Sequence, residues 1–150
     1  MLFSTLVEIC KGKWVQKYED NPITTLTIDS RQVSGVSEEV FFCLIGPHHN
    51  GHNYIQTAYQ KGVRNFVISE NIETPGESNV LLVENTLDAF QHIATYHRTQ
   101  YDYPVIGITG SNGKTMVKEW LATLLAEKYK VVKSPKSYNS QVGVPLSVWQ

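Results

Sequence analysis

Leu2, Leu6 and Ile9 recur at helical spacing near the start of the chain, and Gly12 stands where that helix is expected to end. The period then changes. In Thr24-Thr-Leu-Thr-Ile-Asp-Ser30, Leu26 and Ile28 alternate with polar residues, and Val40-Phe-Phe-Cys-Leu-Ile45 is an unbroken apolar run of strand length, so both segments read as strands. Tyr54, Ile55, Ala58 and Tyr59 share a helix face closed by Gly62, after which 63–68 and 80–83 are again strand-like. Leu87, Phe90, Ala94 and His97 trace a further helix, with Thr86 as its expected N-cap. Strands alternating with helices predict an α/β fold.

The pattern restarts at Pro104, which follows the helical stretch and precedes a strongly apolar segment. Residues 105–109 read as a strand, 110–113 as a glycine-containing loop, Lys114 to about Glu127 as a helix and 129–133 as a second strand. Val117, Trp120, Leu121, Leu124 and Leu125 form an apolar stripe on that helix, and Trp120 and Trp149 are expected in a core. This β-loop-α-β run opens a doubly wound nucleotide-binding sheet. A complete sheet of that kind needs further strand and helix pairs, so the sequence is expected to be the N-terminal part of a longer protein.

Charge adds a division. The 150 residues carry 13 Lys+Arg against 14 Asp+Glu, a net charge of −1, with no run of like charges, which argues against a nucleic-acid coat. Yet residues 104–150 hold six lysines and two glutamates, while residues 1–103 hold seven basic and twelve acidic side chains. We therefore expect two units, 1–103 and 104–150. Cys10 and Cys43 form no Cys-x-x-Cys pair, so reduced thiols and a cytoplasmic location are expected. No apolar run approaches the ~20 residues of a membrane span, and the N-terminus lacks a basic leader, so no membrane partner is expected.

The sharpest chemical signal is Thr109-Gly-Ser-Asn-Gly-Lys-Thr115. A strand feeding a glycine turn into a helix aims successive backbone N–H groups and the positive helix end at one spot, which suits nucleotide phosphates. Thr109, Gly110, Ser111, Asn112, Gly113, Lys114 and Thr115 are the candidate ATP-binding residues. Lys114 and Thr115 are the candidate catalytic pair, the first reaching the β and γ phosphates and the second ligating Mg²⁺. The strict Gly-x-x-x-x-Gly-Lys-[Ser/Thr] pattern is not met, because Ile108 stands five before Gly113. An ordinary glycine-capped turn with a solvated lysine is the plainer reading of the same residues.

The segment Ile108–Thr115 resembles the ATP loop of the Mur ligases, whose shorter Thr-Gly-x-x-Gly-Lys-Thr form makes Ile108 expected; Met116 departs from a position often occupied by a hydroxyl residue. Asp29-Ser-Arg31, Val40–Gly46 and Asn50-Gly-His52 resemble the N-terminal substrate domain of the members that add the third residue or the final dipeptide. Val117-Lys-Glu-Trp120 and Ser137–Pro145 are most similar to the D-alanyl-D-alanine-adding branch, in the form that some bacteria carry fused ahead of an alanine racemase.

The resemblance implies a small Mur ligase substrate domain followed by the first portion of a P-loop ATP-binding domain. It implies an ATP- and Mg²⁺-dependent amide ligase joining UDP-N-acetylmuramoyl-tripeptide to D-alanyl-D-alanine through an acyl phosphate, with this stretch alone inactive. Ser30, Arg31, Pro47, His48, His49 and Asn139 fall at its substrate-contacting positions. The ligase adding the third residue and a non-catalytic nucleotide-binding module are the alternatives.

On the residues alone, Asp29 and Arg31 read rather as a turn cap with a surface arginine than as a ligand site, the 46–51 loop reads as a plain connection, and Asn139 reads equally well as a helix N-cap. His48, His49 and His52 invite a metal, but Asn50-Gly51 predicts a turn between them and neither Cys nor carboxylate falls at ligand spacing.

Overall fold

A computed structural model describes residues 1–135 and 138–150; Lys136 and Ser137, the latter opening the Ser137–Pro145 segment, lie outside the described residues. The chain divides into two compact units, Met1–Ile93 and Ala94–Gln150. That division falls ahead of Pro104, inside a helix.

The first unit is built on a five-stranded sheet in the order β1-β7-β6-β3-β2, with strands β1 Lys13–Gln16, β2 Thr25–Thr27, β3 Glu39–Phe42, β6 Asn65–Ile68 and β7 Asn79–Leu82. β2, β3, β6 and β7 are parallel, and β1 closes one edge antiparallel to β7. Every residue of β3 and β6 is buried, which explains why both read as continuous apolar runs rather than alternating ones. Phe41, Phe66, Ile68 and Val80 pack with Ile55 and Ala58 of helix α2, Ile55–Gln60. Phe42 meets Phe90 of helix α3, Thr86–Thr99, edge-on at 5.0 Å between ring centroids. Helix α1, Phe3–Cys10, buries Phe3, Leu6 and Cys10, and Phe3 lies against Trp14 of β1.

Several local expectations are corrected. The left-handed residue ending α1 is Lys11, at φ 51°, rather than Gly12. Gly12 is required instead by proximity, because a Cβ there would press on the Leu81 side chain and the Leu82 carbonyl. Asn85, not Thr86, caps α3, its side chain accepting from the Leu87 and Asp88 N–H groups. Thr86 Oγ1 is buried and donates to the Cys43 carbonyl. The apolar run from Val40 stops as strand at Phe42, since Leu44 N–H turns back to the Phe42 carbonyl. Ile45–Gly46 (β4) and His49–Asn50 (β5) then form a two-residue antiparallel ladder where a plain loop was expected. Both cysteines are buried free thiols, and burial pushes Cys10 up to about 12, so neither is poised as a nucleophile.

In the second unit the helix matches its expected span, α4 Lys114–Ala126, followed by α5 Gly143–Trp149. Neither 105–109 nor 129–133 is a strand. Strand character needs a ladder partner, and among the described residues these segments have none. Val105, Ile106, Tyr129 and Val132 stay exposed, as do Val117, Trp120 and Leu124; Trp120, expected in a core, is 63% exposed. Trp149 is half-buried against His97, with ring centroids 4.5 Å apart.

Candidate functional site

Just beyond β2 the chain makes a tight turn at Asp29. Its Oδ1 accepts from the Arg31 backbone N–H at 3.0 Å, and its carboxylate takes Arg31 Nε and Nη2 at 2.9 and 2.7 Å. The plainer reading of this motif, a turn cap with a surface arginine, is therefore present in the geometry. The guanidinium holds the Asp29 carboxyl down to about 2, and Asp29 in turn raises Arg31. Ser30 is buried between them, and its carbonyl accepts from Lys61 Nζ at 2.6 Å.

The turn forms one side of a cleft of about 440 Å³ lined by Ile28, Asp29, Ser30, Arg31, His49 and Tyr54. The imidazole of His49 stacks on the Tyr54 ring, centroids 5.1 Å apart and planes 17° from parallel, to form another part of the lining. An open concavity with a guanidinium at one place and a paired aromatic surface at another can hold an anionic group and a flat ring together. Of the expected substrate positions, Ser30, Arg31 and His49 line this cleft. Pro47 and His48 are exposed and do not line it. Asn139 is exposed in the second unit, and at the start of α5 it is Ser140 Oγ that accepts from the Gly143 N–H. Tyr54, expected on a packed helix face, stands instead one residue ahead of α2 and lines the cleft.

The three neighbouring histidines do not converge. His52 turns inward with 2% of its side chain exposed, whereas His48 and His49 are exposed. No group of three or more His, Cys, Asp or Glu suited to a metal ion gathers among the described residues.

In the second unit, Gly110 and Gly113 adopt φ 147° and 75°, backbone that favours glycine, and Gly113 stands as the N-cap of α4. A Cβ at Gly113 would meet nothing within 4 Å, so its requirement is conformational rather than steric. Lys114 opens the helix and turns its ammonium back onto the Gly110 and Ser111 carbonyls, inside the loop. Ser111, Asn112 and Thr115 are exposed around it. The result is a glycine turn, a helix N-terminus and a lysine gathered at one place, the arrangement that receives phosphate oxygens.

Residues 108–150 match the Mur ligase middle domain. Over nearly its whole length the chain is similar to UDP-N-acetylmuramoyl-tripeptide–D-alanyl-D-alanine ligases. That of Synechocystis sp. is 37% identical over 145 residues, 96% of this chain and 32% of the relative. That of Bacillus subtilis is 32% identical, over 95% of this chain and 31% of the relative. Among solved structures, MurF from Acinetobacter baumannii aligns with a TM-score of 0.88 at 26% identity, covering 97% of this chain and 32% of that one. MurF from Thermotoga maritima in complex with ADP aligns at 0.73 and 30% identity, covering 83% and 28%. The chain thus spans about a third of the length of the curated relatives it matches.

Proposed function

We propose that this chain is part of a Mur ligase and that it supplies the nucleotide-sugar cradle and the ATP phosphate loop of a ligase adding D-alanyl-D-alanine to UDP-N-acetylmuramoyl-tripeptide. The observation that carries this reading is the presence, in one chain, of the Asp29–Tyr54 cleft and the Gly110–Thr115 loop, each in its own compact unit. On this reading the reaction runs in the cytoplasm and the product is a peptidoglycan precursor.

In the proposed reaction the terminal carboxylate of the tripeptide attacks the γ-phosphorus of ATP, giving an acyl phosphate and ADP. The amine of D-alanyl-D-alanine then attacks the acyl carbon, and phosphate leaves as the amide forms. The residues of this chain position and neutralise. Backbone N–H groups of 110–115 and the α4 N-terminus receive the phosphates. Lys114, released from the Gly110 carbonyl, follows the charge on the β and γ oxygens. Arg31 pairs with the substrate's diphosphate, and His49 with Tyr54 takes a flat ring against its stacked face.

Mg²⁺ fits the donor set: Thr115 offers a single exposed hydroxyl in the first turn of α4, and this ion is usually held by one or two protein oxygens together with substrate phosphates and water. When bound it neutralises charge on the β and γ oxygens. Because the chain spans about a third of the length of these ligases, the 150 residues alone are expected to be inactive.

The test is ADP release from a protein carrying this chain at the length of its relatives. Turnover with UDP-N-acetylmuramoyl-tripeptide and D-alanyl-D-alanine, but not with the dipeptide precursor and a diamino acid, supports the reading. The reverse preference assigns the chain to the ligase adding the third residue.

A further inference from the structure

We infer that His52 is a positioning residue for the cleft: a neutral imidazole, protonated on Nδ1, that clamps the 49–54 segment and its His49–Tyr54 wall to the end of β6. The inference rests on the proposed reading of the cleft as the nucleotide-sugar site.

The hydrogen-bond roles leave a single tautomer. Ser69 N–H, immediately after β6, points at His52 Nε2 at 2.9 Å, so Nε2 must accept. On the other side of the ring, Nδ1 lies 2.7 Å from Asn50 Oδ1. The orientation of Asn50 is fixed independently, since its Nδ2 donates to the two Glu70 oxygens at 3.1 and 3.3 Å while its Oδ1 also accepts the His52 backbone N–H at 3.0 Å. Nδ1 must therefore donate. An imidazolium would set a second donor against the Ser69 N–H. Burial disfavours that charged form and lowers the His52 pKa, against the opposing pull of Glu70 at 3.9 Å.

The clamp acts where the wall is made. Asn50 is the last residue of β5 and follows His49; His52 lies in the short 3₁₀ turn Gly51–Tyr54 that delivers Tyr54. Gly51 lets this segment lie directly on the Cys43–Leu44 backbone, where a Cβ would come within 2.8 Å. Both aromatic partners are thus reached within three residues of the buried ring. His52 is not among the residues that line the cleft, so its role is to place His49 and Tyr54.

Imidazole ¹⁵N NMR of the 150-residue chain, followed by titration with uridine diphosphate, tests this. His52 should show the neutral Nδ1–H tautomer at pH 7. His52→Phe, which keeps ring volume without nitrogens, and Asn50→Ala should each lose the His49–Tyr54 ring-to-ring Overhauser contacts and bind uridine diphosphate about tenfold more weakly or worse, the loss expected from one misplaced charged or stacked contact. If His52→Phe fails to fold, the partly exposed Asn50→Ala decides. An Nε2–H tautomer or an imidazolium at pH 7, or variants that keep both ring contacts and affinity, would overturn the clamp. Failure of the unaltered chain to bind uridine diphosphate would instead overturn the nucleotide reading of the cleft, while the tautomer and ring contacts still decide the clamp.

Discussion

Lys61 donates its ammonium to the main-chain carbonyl of Ser30 at 2.6 Å, across 31 positions of sequence. The lysine is set in place by its neighbour. Gly35 and Gly62 lie backbone to backbone at φ 78° and 106°; a Cβ on Gly35 would collide with the Lys61 carbonyl, and one on Gly62 would come within 2.6 Å of the Gly35 carbonyl. The loop after α2 is thereby locked to the loop after the Asp29 turn, and Lys61 ties that lock to the cleft. Lys61→Met should cost about 1 kcal/mol, the ordinary net worth of a partly exposed charge-assisted bond, and should weaken uridine diphosphate binding without moving ATP binding. Urea unfolding and calorimetric titration of both ligands measure this.

Asp29 and Arg31 set an acid limit on the cleft. The Asp29 pKa is depressed, so the pairing is complete above the ordinary carboxylate value of about 3.9 and is lost as pH falls through about 2. Arg31→Ala removes the largest cause, the side-chain hydrogen bonds, and leaves the turn residue's backbone N–H. Carboxyl NMR titration should then find Asp29 moved back toward 3.9. In a ligase of full length the same substitution should raise the KM for the nucleotide sugar far more than that for ATP; equal effects on both count against a substrate role for Arg31.

Glu39 is fully buried and acceptor to four donors: Thr27 Oγ1 on one oxygen, and Ser34 N–H, Ser34 Oγ and Gly35 N–H on the other, the last three at 2.9–3.0 Å. Removing the carboxylate leaves the part-buried Ser34 and Gly35 N–H groups without this acceptor. Glu39→Ala should cost about 3 kcal/mol or more and Glu39→Gln less, because its amide oxygen still accepts. Denaturant unfolding followed by Trp14 fluorescence reads the ranking, and an inverted order would mean the 34–35 loop is held by something else.

Lys114 opens α4 with its ammonium on loop carbonyls rather than in a core. Lys114→Ala should therefore leave the far-ultraviolet circular dichroism unchanged. In the full-length ligase it should lower kcat by about 10²–10³, the range for losing one preorganised charge-stabilising group. Normal turnover by a normally folded variant would reject the phosphate-loop assignment.

The parts of this molecule that could be read from sequence are those whose cause is local. The glycine turn into α4 is written in six consecutive residues, and β3 and β6 declare themselves because both of their faces are covered. β1 escaped notice because an edge strand alternates only weakly, with Trp14 and Gln16 half-buried and Lys13 and Val15 exposed. Lys61 reaches the Ser30 carbonyl across 31 positions through a tertiary contact, which spacing does not encode. The converse holds in the second unit. Val105, Ile106 and Val132 have strand-like character, but a strand is a property of pairs, and their neighbours are not among the described residues.

The most direct measurement is ¹H–¹⁵N chemical-shift mapping of the 150-residue chain with uridine diphosphate and with Mg²⁺-ATP, added separately. Uridine diphosphate should move Asp29, Ser30, Arg31, His49 and Tyr54 and leave 109–115 in place. Mg²⁺-ATP should move 109–115 and leave the cleft in place, since the two sites are built in different compact units. Both nucleotides shifting one common set of residues, or uridine diphosphate leaving the cleft unperturbed at saturating concentration, would contradict the assignment of separate nucleotide-sugar and ATP sites.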